Sequence, residues 1–99
     1  MNALRTILVA SALGAATLAH AQVDQVRVWA AACANCHGTD GRAEPGMEAL
    51  AGKNADDMTK TLLDFKAGRK PATIMHQISK GYTDDELRAI AAYFAAQKK

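Results

Sequence analysis

Cys33-Ala34-Asn35-Cys36-His37 is the run of residues in this chain best suited to chemistry. Two thiols three positions apart can each add to a vinyl group of one porphyrin. The residue that follows the second thiol then lies under the ring plane, where an imidazole can bind the iron. This C-x-x-C-H spacing is that of covalent haem c attachment, with Cys33 and Cys36 as the anchors and His37 as one axial ligand. Cys33 and Cys36 could also act as a redox dithiol, but that motif belongs on a βαβ scaffold. No strand pattern competes anywhere in this sequence, so the dithiol reading is set aside.

The elements that must position these residues are helical. Val23 to Ala34 reads as a helix with Asp24 near its start, because Val26, Trp29, Ala30 and Cys33 recur on one face. It is expected to fray over 35–38. Residues 38–54 carry four glycines and Pro45 without sustained period, which describes a loop able to wrap closely around a flat group. Asn54 is a plausible N-cap, with Asp56 and Asp57 in the first turn, an apolar stripe at Met58, Leu62 and Phe65, and a stop at Gly68. After the connector Arg69-Lys70-Pro71, Thr73 to Lys80 forms a short helix ended by Gly81 as C′ residue. Thr83-Asp84-Asp85-Glu86 is a capping box for a last helix that buries Leu87, Ile90, Ala91 and Phe94 and ends in Lys98-Lys99. Small Ala30 and Ala91 would let the first and last helices cross closely, with Trp29 and Phe94 filling the flanks. The expected fold is all-α, with about four helices around one haem.

A haem held by His37 has a sixth position to fill, and Met47, Met58, Met75 and His76 are the candidates. Met58 belongs to a regular core stripe, the ordinary place for a helical methionine. Met47 follows His37 by only ten residues, a short reach to the opposite ring face. Met75 follows an intervening helix that can carry the chain around the haem edge, and it is the residue chosen here. Its rival is His76, since neighbours on a helix point about 100° apart and only one of the two can face the iron. Ile74 and Ile78 make the Met75 side apolar, which leaves His76 to the surface. A thioether favours ferrous iron relative to a second histidine and closes the iron to small molecules. The other ring nitrogen of His37 should donate to a backbone carbonyl of the loop near Pro45.

Size and charge agree with this. Met1 to Arg5 is a short basic start, Thr6 to Leu18 is an apolar run, and Ala19-His20-Ala21 is an A-x-A cleavage site, so residues 1–21 read as a cleaved signal peptide. The run is short for a membrane span and no second candidate follows, so no stable membrane insertion is expected. Removing 21 of the 99 residues leaves 78, one domain spanning 22–99, and the product is expected in the periplasm. A chain so small usually needs a staple, and two cysteines cannot provide a disulfide framework; a buried haem can. Without Arg5 the 12 basic residues become 11 against 10 acidic ones. There is no basic stripe with interleaved aromatics, so no nucleic-acid partner is expected, and near-neutrality gives weak long-range steering.

With a haem motif on an N-terminal helix, a glycine-rich loop, a methionine beyond it and a C-terminal helix, the chain resembles class I c-type cytochromes. Phe65-Lys66-Ala67-Gly68, Ala72-Thr73-Ile74-Met75, Ile78-Ser79-Lys80-Gly81-Tyr82 and Ala91-Ala92-Tyr93-Phe94 resemble, more narrowly, the cytochrome subunit of flavocytochrome c sulfide dehydrogenase. The likeness covers essentially all of residues 22–99. It implies one covalent haem c at Cys33 and Cys36, axial ligation by His37 and Met75, and no catalysis by this chain. It also implies a sulfide-oxidising flavoprotein subunit as electron donor and a soluble electron acceptor. The alternative is a free-standing carrier of the c-553 kind, serving an oxidase or another dehydrogenase. A ligand-binding or catalytic haem would require Met75 to lie elsewhere.

Overall fold

The computed structural model describes residues 24–99; the expected signal peptide and Val23 lie outside them. Among the described residues there are four α-helices and no strand. Helix α1, Gln25–His37, starts at Asp24, whose Oδ1 accepts from the N–H groups of Val26 (3.1 Å) and Arg27 (3.4 Å). It does not fray at Asn35. Asn, Cys and His are poor helix formers rather than breakers, and the helix stops at Gly38, where φ reaches 84°. The entire C-x-x-C-H run therefore sits on regular helix, which puts Cys33 and Cys36, at i and i+3, on one face.

A 3₁₀ turn, Thr39–Gly41, begins the expected loop. The loop folds back on this turn, with Leu50 and Ala51 donating to the Gly41 carbonyl at 2.7 and 3.0 Å. Gly41 is buried with φ at 76°, and a Cβ there would meet Phe94 Cδ1 at 2.7 Å. Gly41→Ala thus combines left-handed strain with overpacking and is expected to destabilise the folded protein by about 2–4 kcal/mol, read from denaturant unfolding.

Helix α2, Ala55–Ala67, is capped by Asn54, which accepts from Asp57 N–H at 3.0 Å. It closes at Gly68 in the left-handed region, where the N–H groups of Gly68 and Arg69 satisfy the Phe65 and Asp64 carbonyls. Helix α3, Met75–Lys80, begins two residues later than expected, because the boundary falls at Ile74 with no side-chain cap. Gly81 ends it at φ −76°, so the helix closes without the left-handed glycine the sequence suggested. Helix α4, Asp84–Ala95, opens on the full capping box: Glu86 N–H donates to Thr83 Oγ1 (3.1 Å) and Thr83 N–H to Glu86 Oε1 (2.9 Å). It ends at Ala95, short of Lys98-Lys99, and the chain then turns back on itself, with Gln97 Nε2 donating to the Tyr93 carbonyl.

The core joins Ala30 of α1, Met58 of α2, and Ile90, Ala91 and Phe94 of α4, with Trp29 packed against it. Ala30 and Ala91 are the small residues at the α1–α4 crossing, as their spacing predicts. Tyr93 ties this crossing to the loop, its hydroxyl donating to Asp40 Oδ1 at 2.8 Å. That bond to a carboxylate pushes the phenol upward from its ordinary range.

Candidate haem site

The last turns of α1 present Cys33 half-buried, Cys36 exposed and His37 beside them, and neither thiol is in a disulfide. Burial pushes the Cys33 thiol upward, partly offset by a main-chain hydrogen bond. His37 Nδ1 lies 2.6 Å from the carbonyl oxygen of Glu48. A carbonyl can only accept, so Nδ1 carries the proton and Nε2 keeps the lone pair that can bind a metal. The acceptor comes from the loop, three residues past Pro45. The loop is held for this task by Ala43 N–H on the His37 carbonyl (2.6 Å) and Met47 N–H on the Glu44 carbonyl (3.0 Å).

These residues open onto a cavity of about 650 Å³, within the range of pockets that bury most of a ligand's surface. Cys33, Cys36 and His37 line it from α1, Met58, Leu62 and Phe65 from α2, Met75 and Ile78 from α3, and Ile90 and Phe94 from α4. Three methionines reach it. Met58 is buried and belongs to the core, Met47 is 43 % exposed, and Met75 is half-buried on α3. His76 does not line the cavity, but it is not the plain surface residue its neighbours suggest. It is half-buried, and its Nδ1 is enclosed without a hydrogen-bond partner among the described residues. The lining also holds charged residues whose presence there was not predicted: Glu48, Lys53, Asp57, Lys70 and Lys99. Glu48 and Lys53 form an ion pair, which holds the Glu48 carboxyl below its usual range; exposed as it is, the pair adds little stability.

The donor set suits a prosthetic group that brings its own equatorial ligands. Among the described residues no three His, Cys, Asp or Glu side chains converge as a cage for a bare ion. What converges is a helical pair of thiols, one imidazole with its tautomer set, and thioethers in an apolar box. Haem c fits these residues.

Comparison with known proteins agrees. The family model described as "Cytochrome C oxidase, cbb3-type, subunit III" matches residues 21–94. The chain is 35 % identical to the cytochrome subunit of sulfide dehydrogenase from Chlorobaculum tepidum, over all of this chain and 97 % of that protein. It is 38 % identical to cytochrome c4 of Pseudomonas aeruginosa over 99 % of this chain and 50 % of that one, so it spans about half the length of that relative. It is 42 % identical to the thiosulfate dehydrogenase electron acceptor of Stutzerimonas stutzeri, over 68 % of this chain and 32 % of that protein. The solved cytochrome c4 of Acidithiobacillus ferrooxidans superposes with a TM-score of 0.62 at 34 % identity, covering 66 % of this chain and 38 % of that one. The sequence, the helical fold and these relatives lead to one conclusion: the chain belongs to the class I c-type cytochromes, it carries haem c, and its work is electron transfer.

Proposed function

We propose that residues 22–99 form a periplasmic monohaem electron-transfer subunit, exported with cleavage after Ala21, that accepts electrons from a sulfide-oxidising flavoprotein and passes them to a soluble acceptor. Cys33 and Cys36 would hold the haem through two thioethers, and His37 and Met75 would hold its iron. Haem c supplies a one-electron change of iron valence. The chain's own residues set its terms. The Glu48 carbonyl keeps the His37 proton on Nδ1 and so directs Nε2 to the metal. Leu62, Phe65, Ile78, Ile90 and Phe94 give the cavity apolar walls.

Three methionines line the cavity, and their surroundings support Met75 as the ligand. Met47 adjoins Glu48, whose carbonyl is bonded to His37, and so belongs to the histidine's side. Met58 is packed in the core with Ala30, Ile90 and Phe94. Met75 comes from a different helix and is free of both constraints. Its thioether raises the potential relative to a second imidazole. No described helix is long and apolar enough to cross a membrane.

The observation that carries the partner is the near end-to-end match to a sulfide dehydrogenase cytochrome subunit. One feature favours the free carrier as a second reading. At the cavity's mouth the exposed apolar residues Met47 and Ile74 stand among Glu48, Lys53 and Lys70, a mixed-charge rim rather than a broad apolar face. Purification from the native host separates the two. The subunit reading expects haem and flavin in fixed ratio in one complex whose haem is reduced by sulfide. Recovery of the free cytochrome alone supports the carrier.

A further inference from the structure

Cys33, Cys36, His37 and Met75 account for the sulfur and nitrogen chemistry of the cavity but not for its charges. Besides His37 of α1, the titratable side chains facing it are Glu48 and Lys53 from the loop, Asp57 from α2, Lys70 from the connector and Lys99 from the segment after α4. Helices α3 and α4 contribute none. Two of the three lysines are already engaged. Lys53 pairs with Glu48, and the Lys70 ammonium lies 5.3 Å from the centre of the Phe65 ring. Lys99 has no ion-pair or hydrogen-bond partner among the described residues.

Its approach to the cavity is specifically built. Arg42 Nε donates to the Lys98 carbonyl at 3.2 Å, Gln97 Nε2 to the Tyr93 carbonyl at 2.9 Å, and Gly52 N–H to the Phe94 carbonyl at 3.0 Å. The Lys99 stem then crosses Gly52, where a Cβ would come within 2.8 Å of Lys99 Cγ and 3.1 Å of Cε. These contacts lay the Lys99 side chain beside Gly52, and it lines the cavity together with Gly52, Lys53 and Asn54.

Haem carries two propionates, on pyrrole rings other than those bearing the vinyl groups that Cys33 and Cys36 take. A carboxylate placed in a largely apolar cavity needs a cation or hydrogen-bond donors. We propose that Lys99, whose stem crosses Gly52, holds a haem propionate in this cavity. An ammonium there offsets negative charge near the iron, favours the reduced form and raises the midpoint potential. The inference rests on haem c in this cavity and not on Met75 or on the identity of the partner.

The test is redox titration of the full chain, matured with haem, in wild-type form and as Lys99→Met, Lys99→Arg and Lys98→Met. Methionine keeps an unbranched stem over Gly52 but removes the cation. Lys99→Met is expected to lower the reduced-to-oxidised ratio at fixed potential by on the order of fivefold. Lys99→Arg should keep the wild-type value, and Lys98→Met, whose side chain does not line the cavity, should change it little. An unchanged potential in Lys99→Met, as a purely structural stem would give, overturns the proposal. So does an equal shift in Lys98→Met, which would reduce the effect to general surface charge. An intact covalent haem spectrum in every variant shows that such a failure concerns Lys99 alone; absence of that spectrum from the wild type would instead sink the haem reading.

Discussion

A chain with Cys33→Ala and Cys36→Ala together is expected to emerge without covalent haem and without a stable fold. Among the described residues the buried apolar side chains are Ala30, Ala51, Met58, Leu87, Ile90, Ala91 and Phe94, and three of these are alanines. Of these, Met58, Ile90 and Phe94 also line the cavity of about 650 Å³, which this small core does not fill. Without haem that space would fill with water and leave the apolar side chains of its walls solvated, at about 25 cal/mol per Å². Whole domains are stable by only about 5–15 kcal/mol, so even a fraction of that cost decides the outcome. Circular dichroism should show little cooperative unfolding, and denaturing electrophoresis should show no haem-linked band. A haem-free variant that unfolds cooperatively near the wild-type midpoint would mean that the helices pack without the cofactor.

Met75→Ala carries the second large effect. With the thioether gone, the iron should become accessible. Carbon monoxide should then bind the reduced protein rapidly at neutral pH, and the midpoint potential should fall. The matched variants Met47→Leu and Met58→Leu keep apolar volume and should leave the wild type's slow or absent carbon monoxide binding unchanged. If Met47→Leu opened the iron instead, the ligand would come from the loop on the histidine's own side. His76 is the other residue to watch: its Nδ1 is enclosed with no hydrogen-bond partner among the described residues, and its capture of the vacated position is the competing outcome of Met75→Ala. A bis-nitrogen spectrum would reveal that substitution.

The helices were legible because their signals are local. Asn54 and the Thr83–Glu86 pair cap the helices they were expected to cap, Asp24, read as lying near the start of its helix, is its cap, and Ala30 and Ala91 meet where their spacing requires. That Cys33, Cys36 and His37 lie together at one helix end was legible because they are close neighbours in sequence. What escaped depends on contacts distant along the chain. Asn35 to His37 were expected to fray, yet stay helical until Gly38 takes positive φ. Lys98-Lys99 read as a favourable helix end, but α4 stops at Ala95 and Arg42 holds the Lys98 carbonyl across 56 positions of sequence. Lys99 thereby reaches the cavity, and no local pattern foretells that. His76 was expected at the surface from its neighbours Gln77 and Lys80, whereas burial on a six-residue helix depends on what packs over it.

The central claim is that this cavity holds an iron closed on both sides and therefore suited to electron relay. Proton NMR of the fully reduced protein tests it most directly. A methionine bound at the iron places its methyl group over the porphyrin ring, whose current shifts that signal far upfield. One such three-proton signal is expected, lost in Met75→Ala and kept in Met47→Leu and Met58→Leu. A reduced spectrum with no upfield methyl signal, or one that survives Met75→Ala, would contradict it.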